Sequence, residues 1–271
     1  MIPVNFDYYR PDTLKEAVMA YRDIKNAGLK PYYYGGGTEI ITMSRVGNIT
    51  PDAVIDIKNI PECYEYGLNN GKMVFGAGVT LTKIVESGLF PLLGKACGRV
   101  ADHSAQGKIT LGGNICGTVI YRESLLPLLL CDAEIIVARA DGLHKFPVME
   151  ALNSGKRLQE GELLVKVSLD KEWAKEKYWH IKKVKAEKIG YPLVSVSALS
   201  HQGIVRMAFS GACGFPLRIA EMESAPSPGQ NEKTARGYIL HLPSPVREDL
   251  EGSAKYREWV FQNTIAEILN S

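Results

Sequence analysis

The residues best suited to chemistry in this chain lie in two glycine clusters about 75 residues apart. The first is Tyr34-Gly35-Gly36-Gly37-Thr38-Glu39-Ile40 and the second is Thr110-Leu111-Gly112-Gly113-Asn114-Ile115. Each reads as β-prone residues breaking into a tight turn. Glycine there permits positive φ and leaves no Cβ to hold a ligand away. Consecutive amides in such a turn form a nest for an anion. Two nests facing one another could hold the two phosphates of a dinucleotide, although either cluster alone is more often an ordinary bend or bulge. A Walker loop is excluded because no Lys follows Gly37 or Gly113. Gly76-Ala77-Gly78 lacks the third glycine of a Rossmann fingerprint.

The rest of the chain offers no competing chemistry. No G-x-S-x-G precedes a helix, so a hydrolase nucleophile is unsupported. The acid pairs Asp56 with Glu62 and Glu123 with Asp132 have no sequence reason to converge and read as capping or solvated residues. The five histidines show no metal-ligand spacing, so no metal site is expected. The five cysteines, at 63, 97, 116, 131 and 213, form no C-x-x-C, which points to reduced thiols and a cytoplasmic location. A net charge of +2 gives no electrostatic case for nucleic acid or an anionic membrane. The Lys182 to Lys188 stretch reads as a solvated strand or loop. No apolar run nears the ~20 residues that span a bilayer, and residues 1–7 show no signal-peptide pattern. Catalytic power would then come from a bound cofactor, with the protein supplying binding and orientation and no catalytic side chain of its own.

Several elements must position the two clusters. Thr13-Leu14-Lys15-Glu16 is a capping box that predicts a helix ending near Gly28. Lys30 to Tyr34, Val54 to Ile57 and Met73 to Phe75 read as strands, a βαββ opening. Helices are predicted over Leu81 to Glu86, Pro91 to Val100 and Ser124 to Leu130. Strands follow at Glu134 to Ala138, with a turn at Asp141-Gly142, and at Leu163 to Val167. Near Lys171 the pattern changes. Tyr178 to Lys185, Ser195 to Leu199 and Val205 to Ser210 predict three strands, with a turn at Gln202-Gly203. Pro216 to Glu223 and the last 20 residues read as helices, separated by a loop at Pro226 to Asn231. The fold class is α+β.

The two clusters, in this order and with these flanks, resemble the FAD-binding subunit of the molybdenum hydroxylases, the family of xanthine dehydrogenase and carbon monoxide dehydrogenase. The resemblance runs nearly end to end. Phe6, Tyr8, Pro11 and Leu14 to Ala17 resemble its opening, and Val54 to Ile57 the strand after the first loop. Gly76 to Thr80 resembles its next glycine turn. Glu123-Ser124-Leu125-Leu126-Pro127 and Asp132-Ala133-Glu134 follow the second loop as in the family. Gly252-Ser253-Ala254-Lys255-Tyr256-Arg257 is similar to its closing helix. Two positions depart from the pattern. Gln106 and Gly107 stand where the family has Arg-Asn, and Ser124, beside Glu123, stands where it has Asp.

The resemblance implies a two-part FAD-binding domain of the PCMH type, residues 1–57 and 58–172, followed by a three-stranded sheet with helices over 173–271. It implies one FAD. Gly35, Gly36, Gly37 and Thr38, between Tyr34 and Ile40, would hold one side of its pyrophosphate; Thr110, Gly112 and Gly113 would hold the other. Glu39 and Asn114 would bond near the ribose or phosphates, and Glu123 or Ser124 the ribityl chain. A backbone amide at Leu164 would contact the adenine or flavin. Lys182 would stand near the flavin ring, or else be a solvated strand lysine. The implied partners are a 2Fe-2S iron–sulfur subunit and a molybdopterin subunit, with NAD or another acceptor taking the electrons. The Glu123 to Pro127 variant inclines the substrate of the complex toward purines such as xanthine. Two other readings stay open: a self-contained flavin oxidoreductase, and a non-enzymatic nucleotide-binding scaffold.

Overall fold

The structure is a computed structural model that describes residues 2–185, 190–223 and 231–271. The chain opens with β1 (Asp7–Tyr9), α1 (Leu14–Asn26), β2 (Pro31–Tyr34), α2 (Thr38–Arg45) and β3 (Ala53–Asp56). β1 and β2 both pair in parallel with β3, giving the order β1-β3-β2. Thr13 caps α1 through a bond from the Glu16 amide, and the Glu16 carboxylate accepts the Asp12 amide. Ala17, Val18 and Ile24 form the buried stripe of α1 and pack on Ala53, Ile55 and Ile57. Ala138, Leu163 and Val165, which come from the next sheet, close this core.

β4 (Tyr66–Asn69), β5 (Lys72–Gly76), α3 (Leu81–Ser87), α4 (Pro91–Cys97), α5 (His103–Gln106), α6 (Leu111–Cys116), α7 (Leu125–Leu130), β6 (Glu134–Arg139), β7 (Gly142–Pro147), α8 (Val148–Leu152) and β8 (Leu163–Asp170) follow. The strands form an antiparallel sheet of order β4-β5-β8-β6-β7. The leucines of α7 are fully buried against this sheet with α3, α4 and α6.

The last part holds β9 (Tyr178–Val184), β10 (Pro192–His201), β11 (Ile204–Ser210), β12 (Leu217–Arg218), α9 (Asn231–Leu240) and α10 (Ala254–Leu269), with sheet order β12-β11-β10-β9. The three expected strands are present, and β12 adds a short fourth at the edge. Arg257, from the sequence that resembles the family's closing helix, is fully buried. It donates to the carbonyls of Arg247, Leu193 and Gly211 and to Asp249, which ties α10 to the sheet. Among the described residues, no helix is long and apolar enough to cross a membrane.

Three local expectations change, and a fourth lies almost wholly outside the described residues. Met73 to Phe75 belongs to the second sheet, because β5 pairs with β4 and β8; the third strand of the opening sheet is β1. Residues 216–223 are not one helix: only Ala220–Met222 form a single 3-10 turn, after a short strand. Leu217 and Arg218 pair with Phe209 and Ala208, and the Arg218 guanidinium is held by Glu223 and the Leu129 carbonyl, so tertiary bonds override local preference. Both glycine clusters open helices rather than bare turns. Of the loop expected over Pro226 to Asn231, residues 226–230 lie outside the described residues, and Asn231 begins α9.

His180 of β9 is 4% exposed. Its Nδ1 meets Ser197 Oγ at 2.9 Å, while Nε2 has no partner among the described residues. Burial, aided by the positive charges of Arg99, Lys182 and Lys95, pushes its pKa down to about 3. The folded state thus keeps His180 neutral where the unfolded chain, with an ordinary value near 6.5, takes up a proton. This contribution to stability is complete above pH 6.5 and is lost as pH falls toward 3. His180→Gln should flatten the wild-type decline in denaturant midpoint across that window; an unchanged pH profile would contradict the assignment.

Candidate functional site

The first cluster follows β2 directly. Gly37 has φ +71° and caps α2 without any side-chain bond. A Cβ there would stand 2.1 Å from the Tyr34 ring. Among the described residues, the amides of Gly36, Gly37, Thr38, Glu39 and Ile40 find no protein acceptor; the first amide bonded back is that of Ile41, to the Gly37 carbonyl at 2.9 Å. Five consecutive unpaired N–H groups at the positive end of a helix are an anion site.

Tyr34 is itself held from behind. Asp56, 1% exposed at the end of β3, accepts Tyr8 Oη at 2.5 Å and pairs with the Lys58 ammonium at 2.6 Å. That ammonium sits 4.7 Å from the centre of the Tyr34 ring. Burial opposes ionisation of Asp56, but the bonds from Lys58 and Tyr8 prevail and hold its carboxyl below the ordinary value. Asp56 also accepts the Lys58 amide at 2.9 Å, so the capping reading of this acid is the one its geometry shows.

The second cluster is built differently. Thr110 caps α6 by accepting the Gly113 amide at 3.1 Å. The Leu111 amide donates to the Val79 carbonyl at 2.9 Å, Gly112 to Ala77 at 2.8 Å, and Asn114 to Thr110 at 2.9 Å. The Gly76 to Thr80 turn therefore serves as a scaffold for the second loop. The expectation that Gly112 and Gly113 donate to a phosphate meets amides already engaged within the protein.

The two loops touch. A Cβ on Gly36 would lie 1.7 Å from the Lys108 carbonyl oxygen, and one on Gly35 3.0 Å from Thr110 Oγ1. Backbone meets backbone here, which only glycine allows. A cavity of about 370 Å³ is lined by Tyr32 and Tyr33 of β2, just before the first loop, by Ile115 and Cys116 of α6, at the far end of the second, and by Arg122 and Arg157; residues 34–40 and 110–114 are not on its lining.

The other residues singled out in the sequence lie around this centre. The Glu39 carboxylate accepts the Thr118 amide at 2.6 Å and the Thr118 hydroxyl. Asn114 Oδ1 accepts the Ser124 amide at 3.1 Å and the Ser124 hydroxyl, which locks α6 to the start of α7. Leu164 is 3% exposed, with its side chain in the core of the second sheet. It pairs with Val137 at a β-bulge, next to the Val165 carbonyl that accepts the Ala77 amide at 2.8 Å. Gln106 is buried and donates to the carbonyls of Gly98 at 3.1 Å and Ala101 at 2.5 Å, closing the turn between α4 and α5.

Lys182 is not a solvated strand lysine. Its side chain is 1% exposed and its Nζ lies 2.9 Å from Glu123 Oε2 and 2.7 Å from the Arg99 carbonyl. Glu123 Oε1 accepts the hydroxyl of fully buried Ser195. Burial pushes the Glu123 carboxyl up, against the pull of Lys182 and Ser195. Both carboxylate oxygens are thus engaged in joining the second sheet's helical layer to the third sheet. Arg122, adjacent to Glu123, was not singled out in the sequence; a single basic residue between Tyr121 and Glu123 carries no motif.

Residues 4–170 match the family described as the FAD binding domain in molybdopterin dehydrogenase. The chain is 22% identical to the carbon monoxide dehydrogenase medium chain of Hydrogenophaga pseudoflava, over 100% of this chain and 98% of that one. It is 25% identical to the glyceraldehyde dehydrogenase medium chain of Sulfolobus acidocaldarius, over 96% of this chain and 95% of that one. In three dimensions it superposes on the crystallised carbon monoxide dehydrogenase of Hydrogenophaga pseudoflava with a TM-score of 0.88 and 21% identity, covering 100% of this chain and 98% of that one. The chain belongs to the FAD-binding family of the molybdopterin dehydrogenases. It is an FAD-dependent oxidoreductase subunit with the PCMH-type fold and a C-terminal sheet.

The residues present fit that cofactor, because the amides of 36–40 are unpaired and the segments flanking the two loops, at Tyr33 and Ile115, line a cavity large enough for part of a dinucleotide. Gly36→Ala should force the Lys108 carbonyl away, cost on the order of 1–3 kcal/mol of stability and lower FAD occupancy. Wild-type melting and occupancy in that variant would show that the loops do not depend on this approach. Lys182→Met leaves Glu123 buried without its cation and should destabilise the chain by about 3–5 kcal/mol. The double variant with Glu123→Gln should recover much of the loss, as read by denaturant unfolding; equal losses in the single and double variants would contradict the pairing.

Proposed function

We propose that this chain is the flavoprotein subunit of a molybdenum-containing hydroxylase or dehydrogenase. In that complex electrons from 2Fe-2S clusters on one partner chain, supplied by a molybdopterin subunit, reach NAD or another acceptor. FAD, when bound, supplies the chemistry that accepts electrons singly and delivers them in pairs. The observation that carries the reading is the meeting of the two glycine loops, with the amides of 36–40 unpaired, in a chain of this family.

The chain's own residues bind and orient. Gly36, Gly37, Thr38, Glu39 and Ile40 present their amides to the diphosphate, with Gly35 and Tyr34 setting the loop's entry. Thr110, Gly112, Gly113 and Asn114 form the opposing wall rather than a second row of donors. Leu164 fixes the bulge over which one end of the cofactor lies. Glu123, Ser124 and Lys182 hold the wall to the third sheet, and this fixed join sets the distance between the flavin site and the C-terminal part. The division at residues 57 and 172 is the one we retain for these parts.

The inclination toward purines weakens, because Glu123 and Ser124 are engaged in internal bonds. The relatives' names, carbon monoxide dehydrogenase and glyceraldehyde dehydrogenase, span unlike substrates at similar identity. Substrate choice is therefore assigned to a partner subunit.

The purified chain should carry one FAD, and acid precipitation should release it into the supernatant, since neither loop places a His or a Cys in a flavin-linkage setting. A folded chain without flavin after incubation with excess FAD, or flavin retained in the precipitate, would overturn the reading.

A further inference from the structure

Among the described residues, Arg122 is a buried cation without a buried anion. It is 2% exposed, and its Nε has no partner among the described residues. The contact found for its guanidinium is a long one, from Nη1 to the Ile115 carbonyl at 3.4 Å. Its backbone takes φ +23°, which a non-glycine residue seldom adopts and which often accompanies a functional site. A charge taken out of water needs a counter-charge and saturated hydrogen bonds.

The walls of its cavity do not provide one. Of the carboxylates that line it, Glu160 pairs with Lys25 at 2.5 Å and Glu162 pairs with Arg139. Glu39, which attracts Arg122 from a distance, is already held by Thr118. Arg157 adds a second positive charge, anchored through Nη1 to the Gly117 carbonyl at 2.8 Å. Burial first, and then Arg157, lower the Arg122 pKa to about 10, so at neutral pH the side chain stays charged. The cavity thus holds a fixed, undersatisfied guanidinium beside another, and its chemistry calls for an anion with two or more oxygens.

The position of the cavity indicates which anion. Tyr32 and Tyr33, on its lining, lead into the first glycine loop, and Ile115 and Cys116 lie on α6, which opens from the second. Glu39, in the first turn of α2, bonds Thr118, and Arg157 bonds the neighbouring Gly117. The side chain of Glu39, from the helix that the first loop opens, and the Arg157 guanidinium therefore meet at the segment 117–118, and Arg122 reaches the Ile115 carbonyl two residues before it. The second loop's amides are internally bonded, so half of a diphosphate facing the first loop would lack donors.

Resting on the FAD reading above, we propose that Arg122, with Arg157 beside it, is the counter-charge for the diphosphate of FAD in this chain, supplying the donors that the second loop does not. Arg122 is in this sense a binding residue for the cofactor, specific for its phosphates rather than for its flavin.

The test uses the deflavinated full-length chain, titrated calorimetrically with FAD, ADP and riboflavin, for wild type, Arg122→Met and Arg122→Lys. Arg122→Met should weaken FAD and ADP by at least about tenfold each, the loss of one charge-assisted bond, and leave riboflavin unchanged. Arg122→Lys should recover part of the affinity. The melting temperature of the unliganded Arg122→Met chain should hold or rise, because an unpaired buried charge has been removed; a residue needed only for the fold would lower it. Wild-type FAD and ADP affinity in Arg122→Met would overturn the proposal. So would a melting temperature well below wild type in both variants, with riboflavin lost as well. If the wild-type chain bound ADP in an Arg122-dependent way but not FAD, the phosphate clamp would stand and the FAD reading would fall.

Discussion

The approach of the first glycine loop to the second is the constraint on which the site depends. Gly36 sits so close to the Lys108 carbonyl that a single added carbon would overlap it. Two loops from different parts of the fold can come this near only if each is held from outside. The first is held by β2, by the Gly37 turn against Tyr34, and by the Asp56, Tyr8 and Lys58 cluster behind that ring. The second is held by the Gly76 to Thr80 turn, which accepts the Leu111 and Gly112 amides and forms a bridge from Thr80 to Thr110. These supports leave the two loops unequal: one keeps its donors free, and the other is a rigid wall.

Buried charge organises the remainder. Glu123 and Lys182 come from segments 59 residues apart and are both almost fully buried, with Ser195 and the Arg99 carbonyl completing their bonds. The pair links α7's approach to the third sheet and holds β9 in place. Arg257 does the same for α10 through carbonyls and Asp249. Such groups contribute less by attraction than by the cost of leaving any one of them alone, which favours a single arrangement of the parts. Arg122 is the exception within this pattern, and its missing counter-charge is what sets it apart.

Much of the fold could be read from local signals. The capping box at Thr13, the β-branched runs at residues 54–57 and 163–167 and the apolar run of α7 all act within a few residues, and each element formed near its expected place. The glycine clusters were equally legible, because close backbone approach and positive φ restrict residue type directly. What escaped was set by distant partners. Lys182 looks like a surface lysine until Glu123 is brought beside it, and residues 216–223 look helical until β11 offers an edge. The short exposed strand at residues 7–9 is strand only because β3 lies beside it. The unequal loading of the two loops was hidden for the same reason, since the acceptors for Leu111 and Gly112 are carbonyls more than 30 residues upstream.

Hydrogen–deuterium exchange of the full-length chain, with and without FAD, measures this inequality directly. Peptides covering residues 36–40 should exchange fast in the free chain and slow strongly when FAD is added, as unpaired amides acquire phosphate oxygens. Peptides covering residues 111–114 should be slow in both states, because their amides are bonded within the protein. Residues 36–40 that exchange at the same rate with FAD bound, or a free chain in which residues 111–114 exchange fast and become protected by FAD, would contradict the account.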